Sequence, residues 1–329
     1  MKVNIKRTCV IAFYFKKLNT FFFSYIYDKY GGGVSWSRLV QPSIDLAENG
    51  FTISKSLAHA LKNNEKNILN SQVLCEIFCE RSRASVLQSG SVVRNILLAK
   101  TLKIISLKSS NSTTYFEDIY FRVIKNLKDS FNFSLSLQDL KNYEVKENPP
   151  FEVYLSSVNK QLLVPSTPSG GPLLAAIMTI FDQFSLNSTF YKNKPEVFWQ
   201  SVVECFKHAF GFSLGLGDSS FEPKVKSNIL NYFKRESLSN FKRKLNGTRE
   251  AEFYKVNNFT FSKEVKNLGS HISVLGLEGE SVSITSSIGS SLGSLIACNN
   301  TGIVLNDALR MFSNVGKVFG ILQIKTKQK

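Results

Sequence analysis

From Gly269 onward the apolar residues fall on every second position, with Ile272 and Val274 in one run and Val282 and Ile284 in the next. A period of two sends alternate side chains to opposite faces of a strand. Residues 271–277 and 281–286 therefore read as the two arms of a β-hairpin that turns at Glu278-Gly279. Ile272 and Val274, joined by Leu275 or Leu277, are expected to point inward. A two-stranded hairpin with one apolar face is marginal by itself and needs another layer to lie against. The segments upstream of Gly269 have to supply much of that layer.

They read mostly as helices. Residues 35–48 place Trp36, Leu39 and Val40 on one side, then Ile44, Leu46 and Ala47, and Gly50 closes the helix. Residues 57–61 and 68–78 continue in the helical period, 82–113 are Ser-rich and irregular, and 115–127 and 137–143 are helical again. Two strands follow at 151–155 and 161–164. The run Pro165-Ser166-Thr167-Pro168-Ser169-Gly170-Gly171-Pro172 is a rigid turn into a helix over 173–184, with Pro172 suited to its first position. Asn193 to Glu196 opens a further helix whose apolar residues repeat at Phe198, Val202, Phe206 and Phe210. Residues 215–262 are polar and basic and read as a loop-rich connector. Beyond the hairpin, 302–305 read as a strand and 307–312 as a short helix. Helices followed by strands predict a layered α+β or αββα domain.

Composition narrows the functional classes. The 329 residues are 43% apolar, enough for a sizeable core, and the formal charge is +16. The basic residues occur as scattered pairs and triples such as Lys16-Lys17, Lys234-Arg235 and Lys242-Arg243-Lys244, which reads as a solvated surface and argues against a nucleic-acid reader. Among the five cysteines there is no CxxC pair, and His59, His208 and His271 are isolated, so no zinc site is expected. Cys75 and Cys79, four residues apart on a helix, fall within disulfide reach. Six N-x-S/T sequons, at Asn111, Asn132, Asn187, Asn246, Asn258 and Asn299, exceed chance and favour a secretory compartment. Gly31-Gly32-Gly33 is a flexible junction without a phosphate-loop pattern. Before it, the apolar runs of residues 9–15 and 21–27 are split by Lys16-Lys17 and fall short of a membrane span, leaving a weak signal or anchor, or non-native sequence, as readings.

Three segments together resemble γ-glutamyltranspeptidases. The first runs from Trp36 through Gln41-Pro42-Ser43-Ile44-Asp45-Leu46-Ala47-Glu48-Asn49-Gly50 to Phe51. The second is the Pro-Ser-x-Pro-Ser-Gly-Gly core of residues 164–174. The third runs from Ser270-His271-Ile272-Ser273-Val274 through Thr285-Ser286-Ser287-Ile288 and Leu292-Gly293 to Thr301-Gly302-Ile303-Val304-Leu305-Asn306-Asp307 and Phe312-Ser313. The likeness extends in order over about residues 31–313.

The resemblance implies an N-terminal-nucleophile hydrolase with an αββα sandwich, incomplete here at both ends. Such enzymes cut their own chain before a threonine, and the freed residue attacks a γ-glutamyl amide, typically of glutathione. The hydroxyl attacks while the same residue's α-amine takes the proton, so no metal or organic cofactor is implied. The implied organisation is an unmatched segment over 1–30, a large-subunit-like region over 31–268 and a truncated small-subunit-like region over 269–329. The Cys75–Cys79 pair resembles a disulfide of animal members.

The family's threonine falls on Gly269, which offers neither an attacking oxygen nor a hydroxyl for self-cleavage. Ser270 is one residue along the strand and faces the other way. His271 reads as a structural residue of the family pattern. Ser287 keeps a hydroxyl where the family has a second threonine. Gly289 replaces a substrate-binding Asn, Ala308 replaces an acidic residue that holds the substrate's α-amino group, and Met311 replaces an acidic partner close by. The expectation is a secreted or surface binding protein without catalysis, with an unidentified protein partner and membrane contact through the N-terminal segment both open. The competing expectation is a working glutathione hydrolase or γ-glutamyltransferase acting on glutathione.

Overall fold

The computed structural model describes residues 9–11, 19–31, 33–107, 114–131, 136–141, 145–183, 188–234 and 268–308. These divide into two compact units. One comprises 9–11 with 146–234, the other 19–145 with 268–308. Among the described residues the strands pair two by two, all antiparallel.

The second unit carries the hairpin. Its helix Trp36–Asn49 starts after Ser35 and ends at Gly50, whose φ of 92° only glycine adopts without strain. Trp36, Val40, Ile44 and Ala47 form the buried face, and the Trp36 indole donates to Ile105 O at 2.9 Å. Leu39 and Leu46, expected on that face, are more than half exposed, because they sit off the i, i+4, i+8 line that meets the core.

The helical segment expected over 68–78 is broken. Helix Glu65–Leu69 stops at Asn70, and Ser71 caps a new helix, Gln72–Phe78, by accepting from Leu74 N. The region read as irregular contains a strand at Val92–Val93 and a helix, Ile96–Ser106, that is capped by Asn95 and buries Ala99, Thr101 and Ile105. Helix Thr114–Phe131 lies where one was expected, and Leu137–Lys141 begins where its counterpart was placed.

Residues 290–308 are tied onto these helices by polar contacts. Asn95 Nδ2 donates to Gly302 O, Thr101 Oγ1 to Thr301 O, and Asn126 Nδ2 to Asn299 Oδ1, each at 2.8 Å. Ile303 and Cys298 complete a core with Trp36, Ile105 and Ile119. The strand expected near 302–305 is a short antiparallel bridge, Ala297 to Val304.

In the first unit, strands Phe151–Leu155 and Lys160–Val164 pair as expected. The turn after them is set by contact. A Cβ on Gly171 would lie 1.8 Å from Pro165 O, and Ser169 Oγ accepts from Gly171 N. Helix Gly171–Asp182 follows, with Pro172 at its start. Helix Pro195–Ser213 corrects one expectation. Its buried face is Cys205, Ala209, Glu204 and His208, whereas Phe206 and Phe210 lie on an exposed stripe with Trp199 and Val203. The small residues Cys205 and Ala209 let this helix approach Ala176 and Ile180, which large aromatics would prevent. The expected connector also begins with a helix, Lys224–Tyr232. No described helix is long and apolar enough to cross a membrane.

Candidate functional site

The hairpin is built from strands Leu268–Leu275 and Ser281–Gly289, with Ile272 opposite Ile284 and Val274 opposite Val282. Its register shifts between Leu268, which faces Gly289, and Ser270, which faces Ser286. Two steps on one strand therefore meet three on the other, a bulge that lies against Gly269. A Cβ on Gly269 would stand 3.4 Å from the Ser287 Cβ and 3.0 Å from Ser286 O. The structure thus brings together positions 269 and 287, which the sequence pattern linked. Ser287 Oγ accepts from Gly289 N at 2.9 Å. Ser270, paired with Ser286, lies next along the strand and turns to the other face.

His271 belongs to a hydroxyl cluster on the exposed polar face. Its Nδ1 lies 2.7 Å from Thr285 Oγ1, and its Nε2 lies 3.0 Å from Ser273 Oγ and 3.1 Å from Ser283 Oγ. These contacts hold the imidazole across the two strands.

Gly289 has a φ of 88°, and a Cβ there would come within 1.8 Å of Asp307 Oδ1. Asp307 accepts from Ser290 N at 2.8 Å and from Ser290 Oγ, while its own N–H donates to Ile288 O at 3.0 Å. Ala308 follows, buried, with its N–H donating to Asn306 Oδ1. Asp307 is the residue that sequence reasoning passed over. Its place next to Ala308 was the one signal in the sequence, and nothing there linked it to Gly289. Met311 lies outside the described residues, as do Asn111, Asn132, Asn187, Asn246 and Asn258.

Away from the hairpin, Cys75 and Cys79 form a disulfide, with Cα atoms 4.7 Å apart. Asn299 is exposed, while Thr301 of its sequon is buried. Cys205 and Cys298 are free and buried, and burial pushes the Cys205 thiol up to about 12. Such a thiol stays protonated and poorly nucleophilic. Among the described residues, no group of three or more His, Cys, Asp or Glu side chains could hold a metal ion.

The fold is that of solved N-terminal-nucleophile hydrolases. It is similar to γ-glutamyltranspeptidase from Helicobacter pylori, with a TM-score of 0.58 at 20% identity over 73% of this chain and 67% of that one. It is also similar to cephalosporin acylase from Bacillus halodurans, with a TM-score of 0.65 at 17% identity over 87% of this chain and 50% of that one. The gamma-glutamyltranspeptidase family model matches residues 22–326. The chain belongs to that family. Curated relatives include glutathione hydrolase 2 of Arabidopsis thaliana, 30% identical over 86% of this chain and 47% of that protein. Scoloptoxin SSD14 of Scolopendra dehaani is 28% identical over 88% of this chain and 50% of that protein. The chain thus spans about half the length of the curated relatives it matches.

Proposed function

We propose that this chain is a non-catalytic member of the gamma-glutamyltranspeptidase family that keeps part of the scaffold as a binding protein. The observation that carries the reading is Gly269. The family's chemistry needs a hydroxyl there twice, once to break the chain and once to attack the γ-glutamyl carbon, and glycine has none. Ser270 does not replace it. It faces away from Ser287, and nucleophilic attack loses orders of magnitude in rate for an ångström of misplacement. The α-amino group of a γ-glutamyl head needs charged partners, and neither Ala308 nor Met311 supplies one.

Passage through the secretory route accompanies this reading. Its supports are the Cys75–Cys79 disulfide and the number of N-x-S/T sequons in the sequence. The binding partner would be a protein or a γ-glutamyl compound such as glutathione.

A second reading, an active glutathione hydrolase or γ-glutamyltransferase, is favoured by the names of relatives such as glutathione hydrolase 2 and by the retained Ser287 hydroxyl. Incubation of the purified chain with a chromogenic γ-glutamyl anilide separates the two. No release of the anilide supports the non-catalytic reading. Saturable release that glutathione competes away establishes the enzyme.

A further inference from the structure

Helix Trp36–Asn49 ends on the first of the two Asn-Gly pairs in the sequence, Asn49-Gly50; the other is Asn246-Gly247. Such a pair carries its own chemistry. Hydroxide takes the amide proton of the glycine, and the bared nitrogen attacks the asparagine Cγ. No Cβ on the glycine crowds the five-membered ring that forms. The side-chain nitrogen leaves as ammonia, taking a proton from water. A second water then opens the succinimide at either of its carbonyls, giving aspartate or isoaspartate. Asn49 is exposed, so water and hydroxide reach it.

The fold holds the reacting peptide unit at both ends. Gly50 N, the attacking atom, donates to Leu46 O at 3.1 Å, and Asn49 O, on the same peptide, accepts from Arg94 Nε at 2.9 Å. Ring closure needs rotation about the helical ψ of Asn49 to bring that nitrogen onto the side chain, and the rotation breaks both bonds. It also lifts Gly50 out of a close fit, where a Cβ would stand 2.6 Å from Val92 Cγ1 and 2.8 Å from Val93 O. The pairs Phe51–Val93 and Thr52–Val92, and the bond from Asn95 N to Ala47 O, brace the joint on either side.

We infer that Asn49 is a deamidation site kept closed by the native fold, with Arg94 as the side chain that guards it. Local opening of this joint admits a reaction that refolding does not reverse. Either product works against the native structure. Aspartate puts a negative charge at the C-terminal end of the helix, where the carbonyl dipoles already concentrate one. Isoaspartate lengthens the main chain by one carbon between helix and strand, which displaces Gly50 from the Val92–Val93 strand it packs against. The pair is thus a chemical record of unfolding, and it does not depend on whether the protein is catalytic.

The test incubates the purified 329-residue chain at pH 8, native and in guanidinium chloride, and follows Asn49 by peptide mass mapping. Labelling by isoaspartyl methyltransferase distinguishes isoaspartate from aspartate. In denaturant, Asn246 in the same digest supplies the rate of an open Asn-Gly pair, and Asn49 should match it. The native chain should react about thirtyfold more slowly, the factor that two ordinary hydrogen bonds place on a local opening. Arg94→Ala should raise the native rate about fivefold, the share of one such bond. Arg81→Ala, at another exposed arginine, should leave it unchanged. Circular dichroism checks that both variants fold. The deamidated chain, isolated by ion exchange, should unfold at lower urea than the parent. Four results overturn the inference: a native rate equal to the denatured one, a denatured rate far below that of Asn246, a native rate indifferent to Arg94→Ala, or an unchanged urea midpoint after deamidation.

Discussion

Asp307 occupies the space into which a side chain at position 289 would grow, with its Oδ1 1.8 Å from where a Cβ on Gly289 would stand. The two residues are matched. Glycine tolerates the positive φ and leaves room, while the carboxylate fills that room and holds Ser290. Gly289→Asn should lower unfolding free energy by about 3 kcal/mol, from backbone strain and eviction of Asp307. Asp307→Ala alone should cost about 2 kcal/mol by leaving Ser290 N–H unpaired. Because the two changes act on one contact, the double variant should cost less than their sum, measured by urea unfolding as a double-mutant cycle.

Restoring the missing side chain at 269 should not restore chemistry. A Cβ there is tight against Ser286 O at 3.0 Å, so the strand must give by a few tenths of an ångström. Gly269→Thr should fold, shown by an unchanged circular dichroism spectrum. It should nevertheless remain inactive on a γ-glutamyl anilide, because Gly289 and Ala308 still provide no hold on the substrate.

The Cys75–Cys79 bridge closes a short loop of the chain, so its effect on the unfolded state is modest. Changing both cysteines to serine should reduce stability by about 2 kcal/mol in the chain-entropy account. By contrast, Cys205 should resist iodoacetamide at pH 8 in the native protein and react in urea, as read by peptide mass mapping. Burial, reinforced by the neighbouring Glu204 carboxylate, keeps its thiol protonated until about pH 12.

Asp182 gives a pH dependence with a definite sign. Burial acts to raise its pKa, but the hydroxyls and backbone N–H groups of Ser157 and Ser156 outweigh that and hold the carboxyl below its ordinary value. A lowered folded-state value means that the carboxylate stabilises the native protein above the unfolded-state value near pH 4. That contribution fades as pH falls through the lower folded-state value. Asp182→Asn should flatten the acid limb of a stability profile measured by urea unfolding between about pH 2 and 6.

The period-two run from Gly269 was legible because alternation fixes which side chains share a face, and the observed pairs Ile272–Ile284 and Val274–Val282 keep the expected face together. That face being exposed, along with Leu275 and Leu277, was not legible, since periodicity says which side chains share a face and not what covers it. Helix Ile96–Ser106 was hidden for a related reason. Only Lys100 and Lys103 mark its solvent side, and the serines on either side suggested a loop. In helix Pro195–Ser213 the aromatics drew attention to the wrong face, because close helix contact selects small residues such as Cys205 and Ala209. At the candidate site, Gly269 and Ser287 were found from the family pattern. The Asp307–Gly289 match depends on a positive φ and a turn that no residue type announces.

Self-cleavage leaves a mark that survives purification, so the intact mass and N-terminal sequences of the expressed chain test the central claim most directly. The account predicts no new N-terminus at or near Gly269 and no fragment that begins there. A second polypeptide starting at Gly269 or Ser270, accumulating with time in the purified protein, would contradict it.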